Sequence, residues 1–263
     1  MFGAIIGDIA GSIYEYGQIK KVSPVKVNNI IEEDGFYSDD TILTMAVADA
    51  ILQGKDYGET LRDWGNRYSK YKPNHTPYFE TSFSPGFMKW AKDKYVGTSA
   101  GNGAMMRVSP VGYLFDTIEE VEENAKLATI PSHNTEDAVN AATMVAKIIL
   151  YARNGVSKED IVNKLGINVK KPNIEKFNYT CNDTIDVCLY SLFTSTSFEE
   201  SIARAVAFGG DTDTNACIVG SMAEAMYGVP EDLKKKAISK LPPDMLQVAS
   251  MYEERMRDKC TEK

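Results

Sequence analysis

Two short segments of this chain set carboxylates and hydroxyls side by side: Ser38-Asp39-Asp40-Thr41, and Gly209-Gly210-Asp211-Thr212-Asp213-Thr214. Each leads into a stretch that is apolar or small nearly all round, Thr41 to Leu52 and Asn215 to Tyr227, the pattern of a helix buried in the centre of a protein. Taken singly, either segment reads as a helix cap, because Ser and Asp accept hydrogen bonds from the free N–H groups of a first turn and complement its dipole. A cap needs one acceptor, whereas each segment offers two acids. Like charges beside a dry interior repel one another unless a cation neutralises them. Carboxylate and hydroxyl oxygens suit a hard ion, Mg²⁺, Mn²⁺ or Ca²⁺, rather than zinc or copper, and four carboxylates are enough for two ions. Asp211 and Asp213 would not share a face within a helix, but at a loop-to-helix junction both can converge, with Thr214 as the first helical hydroxyl.

A third segment, Thr98-Ser99-Ala100-Gly101-Asn102-Gly103-Ala104-Met105-Met106-Arg107, sets small residues, Asn and Gly ahead of a helical stretch. That arrangement lets backbone N–H groups approach a phosphate or sugar closely, although Gly101-Asn102-Gly103 alone also reads as a plain turn. The fourth, Gly7-Asp8-Ile9-Ala10-Gly11-Ser12-Ile13-Tyr14-Glu15, reads as a helix with two glycines. Each costs about 1 kcal/mol against Ala, so close packing or a ligand must be the reason for them.

The elements that must position these segments are helices. Residues 134–154 show the period best, with Ala138, Ala141, Ala142, Val145, Ile148, Ile149 and Ala152 on one face and Gly155 placed to end the helix. Further helices are predicted near 3–16, 41–53, 58–70, 85–95, 103–115, 117–128, 157–165, 183–193, 198–208, 214–227, 231–240 and 243–258. Strand signals are confined to a brief alternation over 22–31 and to Phe177–Thr180, which has no evident partner. The expected fold is mainly α, one domain over 1–263. Long connections fall at 71–86, with Pro73, Pro77, Pro85 and Gly86, and at 168–180; the first is a candidate lid or rim.

Composition narrows the setting. The 263 residues carry 29 Lys+Arg against 37 Asp+Glu, a net charge of −8, which excludes a polycationic nucleic-acid binder. With 43% hydrophobic and 25% charged residues, the chain can bury a core and does not have the profile of disorder. Cys181, Cys188, Cys217 and Cys260 form no C-x-x-C pair, so neither a zinc site nor a disulfide framework is expected, and a reducing cytoplasm fits. The opening residues turn acidic at Asp8 without a basic leader, unlike a signal peptide. The longest apolar stretches, 41–52 and 141–152, contain Asp49 and Lys147 and are too short to span a membrane.

Together the four segments resemble the ADP-ribosylglycohydrolase family, which includes dinitrogenase-reductase-activating glycohydrolase and the ADP-ribosyl-acceptor hydrolases. The resemblance runs from Gly7 through Pro230. Its most specific pieces are Ser38-Asp39-Asp40-Thr41 and Gly210-Asp211-Thr212-Asp213-Thr214-Asn215, with the Gly101-Asn102-Gly103 loop ending at Arg107. It implies an all-α hydrolase, a single compact domain of orthogonally crossing helices over 1–263 whose cleft holds a two-magnesium centre, Mn²⁺ being an alternative, and whose metal ligands would be Ser38, Asp39, Asp40, Asp211, Asp213 and Thr214. Glu15 matches an acid that some members use near the metals; it and Asp40 and Asp211 are the implied catalytic acids. Ser99, Gly101, Asn102, Gly103 and Met105 would contact diphosphate and ribose, with His133 nearby, although a His after Pro131-Ser132 also reads as a helix-start hydrogen-bonder.

The implied reaction is hydrolysis of the bond between C1″ of ADP-ribose and an acceptor, a protein side chain such as arginine or serine or a small ADP-ribosyl compound. The expected partner is that substrate alone, with a monomeric protein and no membrane or nucleic acid. This chain departs from the family at Ala100, where some members carry an aromatic residue able to stack on adenine; Tyr37, Phe79, Phe83 and Tyr113 are the substitutes the sequence offers. Two other functions remain open on the same residues: a two-metal phosphoesterase, and a non-catalytic ADP-ribose-binding member.

Overall fold

A computed structural model of the chain describes residues 1–73 and 80–261. Its helices are α1 (Phe2–Gln18), α2 (Asp39–Gln53), α3 (Tyr57–Arg67), α4 (Pro85–Asp93), α5 (Gly103–Met106), α6 (Ser109–Leu114), α7 (Ile118–Thr129), α8 (Glu136–Arg153), α9 (Lys158–Leu165), α10 (Cys181–Phe193), α11 (Phe198–Ala207), α12 (Thr212–Tyr227), α13 (Glu231–Ile238) and α14 (Pro243–Thr261). Among the described residues there is no sheet. Two isolated antiparallel bridges occur, Thr98 with His133 and Gly101 with Thr180. The weak strand signal at 177–180 therefore finds its partner in the small-residue loop, whereas 22–31 forms no strand.

The helix expected over 103–115 is two helices, α5 and α6, separated at Arg107 and Val108. Pro110 accounts for the break: it has no N–H to donate and is tolerated only in a first turn, where α6 places it. Gly155 takes a positive φ of 77° just beyond α8, as expected of a residue that ends a helix.

α2 and α12 occupy the centre. Every residue from Asp40 to Ala50 and from Thr212 to Ala223 is buried, as their all-round apolar sequences require. One hydrophobic cluster runs through the helices around them, with Ile5, Ile9, Met45, Leu61, Val145, Ile149 and Ile218 fully or almost fully buried.

The glycines of α1 are explained by this centre. α1 lies directly on α12, and a Cβ on Gly3, Gly7 or Gly11 would stand 2.0, 2.0 and 2.2 Å from the carbonyl oxygens of Gly220, Ala216 and Thr212. Two helix backbones touch along a stripe repeating every four residues, with Gly220 returning the contact against the Gly3 carbonyl at 2.1 Å. Packing, not a ligand, demands these glycines. The contact also sets the angular position of Asp8 and Glu15 relative to the head of α12, because a helix packed backbone to backbone cannot roll.

Gly7→Ala should therefore lower the unfolding free energy by about 3 kcal/mol, since the collision is with main chain that cannot rotate away. Gly17→Ala, on the same helix with open space around its Cβ position, should raise it by about 0.5–1 kcal/mol through helix propensity. Urea denaturation of the two variants checks the opposite signs.

Candidate metal centre and ligand cleft

Asp8 is an acid in the middle of an apolar helix, fully buried, and it organises the start of α2. Its carboxylate accepts from the Ser38 amide at 2.9 Å, the Ser38 hydroxyl at 2.8 Å and the Thr41 amide at 3.0 Å, and also from the Thr41 hydroxyl. Ser38 is the N-cap of α2, its hydroxyl accepting from the Asp40 amide at 3.3 Å. The capping demand at this helix start is thus met by Ser38 and Asp8, which releases Asp39 and Asp40 for another purpose. Sequence reasoning passed over Asp8; the available signal was a lone charge among Ile5, Ile6, Ile9 and Ala10, which needs buried donors.

The head of α12 is shaped by Gly209 and Gly210, with φ of 76° and 74°, in the region L side chains avoid. A Cβ on Gly210 would also stand 2.1 Å from Asn178 Oδ1. Asn178 is a second residue that sequence reasoning did not single out: its Oδ1 accepts from the Asp211 amide at 3.0 Å and its Nδ2 donates to Asn215 Oδ1 at 2.8 Å. The helix begins at Thr212, so Thr214 is its third residue, not the first helical hydroxyl. Asp211 occupies the N-cap position but makes no side-chain cap bond; instead its Oδ2 accepts from Asn102 Nδ2 at 2.7 Å.

These two helix starts meet. Thr214 donates its hydroxyl to Asp40 Oδ2 at 3.1 Å, and Asp213 Oδ1 accepts from the Thr214 amide at 2.9 Å. Among the described residues, Asp8, Asp40 and Asp213 form one trio of carboxylates with oxygens all within 4.8 Å, and Glu15, Asp211 and Asp213 form another. Asp213 is common to both. Asp39 lines the cleft but belongs to neither trio, and Ser38 is buried with its hydroxyl 3.2 Å from Asp40 Oδ2.

Burial pushes these acids up, and their proximity pushes them further. Glu15, Asp39, Asp40 and Asp213 stand well above the usual carboxylate range, first from burial and then from one another's charge. Burial also raises Asp211, and raises Asp8 to about 6 despite its donors. Asp40 Oδ1 is buried and has no hydrogen-bond partner among the described residues. A carboxylate oxygen orphaned inside a cluster of acids is what a cation would satisfy, so the residues present fit a hard metal ion.

The acids other than Asp8 line a cleft of about 540 Å³. Thr98, Ser99, Gly101, Asn102, Gly103 and His133 line it as well. The loop is held from both sides: the Ser99 amide donates to the Ser132 carbonyl at 3.2 Å, the Asn102 amide to the Tyr179 carbonyl at 2.9 Å, and the Cys181 amide to the Ala100 carbonyl at 2.9 Å. Met105 is completely buried and outside the lining, which its neighbour Met106 joins. His133 does not start a helix; Thr135 caps α8, and His133 sits beside the loop.

Of the residues offered in place of an aromatic at position 100, Tyr37 is stacked on Tyr71 with ring centroids 4.5 Å apart and Tyr113 is buried against Tyr252. Phe79 lies outside the described residues. Phe83 lines the cleft, with Phe177 and Tyr179, which sequence reasoning did not weigh as ring contacts. The expected lid or rim over 71–86 falls partly outside the described residues, and Ser82 to Gly86 line the cleft.

An all-α protein whose two central helices begin in facing acid pairs, opposite a loop of small residues, is a well-defined class. The sequence profile of the ADP-ribosylglycohydrolase family matches residues 1–261, and the chain belongs to that family. Similar proteins include ADP-ribosylarginine hydrolase Tri1 of Pseudomonas putida, 24% identical over 97% of this chain and 78% of the relative. ADP-ribosylhydrolase ARH3 of Mus musculus is 21% identical over 87% and 83%. A solved ADP-ribosylglycohydrolase-related protein complex has the same fold, with a TM-score of 0.70 at 20% identity, covering 97% of this chain and 94% of the other. Among the described residues no helix is long and apolar enough to cross a membrane.

Asn178→Ala would leave the buried Asp211 amide and Asn215 Oδ1 without the partner Asn178 supplies. A loss of about 2 kcal/mol in unfolding free energy is expected, read by denaturant titration.

Proposed function

We propose that this protein hydrolyses the glycosidic bond between C1″ of an ADP-ribose ribose and an acceptor, with two divalent cations, Mg²⁺ or Mn²⁺, held by Asp39, Asp40, Asp211, Asp213, Ser38 and Thr214. The observation that carries the reading is the pair of carboxylate trios sharing Asp213, in a cleft that the Ser99–Gly103 loop and His133 also line. Family membership and relatives that act on ADP-ribosylarginine or carry the name ADP-ribosylhydrolase support the same chemistry.

Cleaving this bond develops positive charge at C1″ and negative charge on the leaving group, so the site must hold the ribose and position a water. Divalent cations bound at the acids would supply Lewis-acid polarisation of ribose hydroxyls, leaving group or water. Asp40 and Asp211 are fixed by Ser38, Thr214 and Asn102, which keeps the acid pair pre-organised. Glu15 stands at the cleft beside Asp211 and Asp213, and its raised proton affinity suits a residue that orients the ribose or exchanges a proton with the reacting groups. The small residues of the loop let the diphosphate lie close to main chain, placing the terminal ribose toward the acids. The acceptor then leaves; arginine, serine and small ADP-ribosyl compounds are the candidate acceptors.

Incubation with a panel of defined ADP-ribosyl linkages plus Mg²⁺ or Mn²⁺ should release free ADP-ribose. AMP or inorganic phosphate as the product would establish the phosphoesterase instead, and binding without any product the non-catalytic alternative. Saturating metal should raise the melting temperature by roughly 5–10 °C and a chelator should remove the gain, because the unfolded chain holds no such cluster. Asp211→Ala should lose bound metal and lower activity on the order of 100-fold or more. Glu15→Gln should lose activity while keeping most of its metal; elemental analysis beside the assay separates the two roles.

A further inference from the structure

Arg107 is the one Lys or Arg among the described residues lining the cleft, and it is completely buried. No carboxylate is paired with it among the described residues. Its Nη2 donates to the Ala128 carbonyl at 3.0 Å and to Ser132 Oγ at 2.7 Å, while Nε and Nη1 have no partner among the described residues. Burial brings the guanidinium down to about 10, which leaves it charged at neutral pH. Through Nη2 the cation reaches Ser132, and Ser132 Oγ stands 2.7 Å from His133 Nδ1.

The direction of that last bond follows from proton counting. A guanidinium only donates, so the Ser132 oxygen is an acceptor toward Arg107. Ser132 is buried, and its own hydrogen has one remaining partner among the described residues, His133 Nδ1. Were Nδ1 protonated, Ser132 would receive two donors and its hydroxyl hydrogen would be left buried without an acceptor. Nδ1 is therefore the acceptor and the ring proton sits on Nε2. Imidazolium is disfavoured as well, since burial and the Arg107 charge both hold His133 well below the usual histidine range. Nε2 lies on the loop side of the ring, 3.3 Å from where a Cβ on Gly103 would stand and 3.7 Å from that on Gly101. Both positions are glycine, which leaves that nitrogen open to the cleft.

We propose that Arg107 and Ser132 are positioning residues that hold His133 in its neutral Nε2–H form, so that the imidazole presents one fixed donor to an anionic oxygen of the ligand's diphosphate beside the Gly101–Gly103 loop. The proposal rests on the ADP-ribose reading of the cleft for its ligand, but the tautomer is a property of the protein alone. The relay solves a problem that this cleft poses. A diphosphate must lie in a site whose other end is a cluster of acids, and a neutral donor locked in orientation by a buried cation attracts it without placing a competing positive side chain beside the metal ligands.

The chain has two histidines, so ring-nitrogen NMR with His133→Gln as the assignment control resolves His133 directly. In the unliganded wild type near neutral pH, His133 should show an unprotonated Nδ1 and a protonated Nε2. Ser132→Ala and Arg107→Met should each give a measurable Nδ1–H population, and calorimetry should show ADP-ribose binding about tenfold weaker in each, the loss expected for one hydrogen bond to a charged group. Two variants guard against one failing to fold, which their melting curves reveal. An Nδ1–H wild type, or unchanged tautomer and affinity in a folded variant, overturns the relay. A wild type with the Nε2–H form that binds no ADP-ribose, but whose tautomer changes in Ser132→Ala, upholds the relay and overturns the ADP-ribose reading.

Discussion

The close contact of α1 with α12 is the constraint on which the site depends. Gly3, Gly7 and Gly11 bring one helix backbone against the carbonyls of the other, and no side chain stands between them to vary the spacing. Asp8 and Glu15 are carried on the face and end of α1 that this contact orients. Asp8 then reaches the amides of Ser38 and Thr41, which draws the start of α2 to the start of α12. A small-residue stripe is usually considered for what it allows in packing. Here it also sets the distance between acids that belong to three separate helices.

That distance creates an electrostatic cost. Asp8, Glu15, Asp40, Asp211 and Asp213 lie close together, and Arg107 is the one Lys or Arg among the described residues lining the cleft. Part of the cost is met by donors: Asp8 takes four hydrogen bonds, Asp211 takes the Asn102 carboxamide and the chain at Asp211 is tied by Asn178. Asp40 Oδ1 is left without one among the described residues. The acids nearest the centre remain far above their ordinary range, the sign that protein dipoles alone do not balance them.

The two ends of the cleft are mechanically joined. Asn102 belongs to the small-residue loop by its backbone and to the acidic end by its side chain, donating to Asp211. On the other flank the loop is pinned to Pro131–His133, where the Gly97 amide donates to the Pro131 carbonyl at 2.9 Å. A ligand spanning loop and acids would contact a framework already tied together, so little ordering is required when it binds.

The sequence by itself determined the all-α class, the central place of α2 and α12, and the four segments that carry chemistry, because these are local properties. All-round apolar composition marks a buried helix wherever it packs, and doubled acids at its start exceed what a cap requires. It also ended α8 near Gly155, a matter of backbone conformation. The break between α5 and α6 was legible in Pro110 but outweighed by the surrounding period. What only the tertiary structure decided was which distant groups meet. Asp8 joins Asp40 and Asp213, Asn178 supports Asp211 from 33 residues away, and Arg107 reaches His133 through Ser132. Nor could a single chain read for its patterns tell that Gly7 and Gly11 serve packing. A glycine's reason lies in the atom that would collide with a Cβ, and for Gly7 that atom is a carbonyl on α12, brought there by the fold and not by any neighbour in the chain.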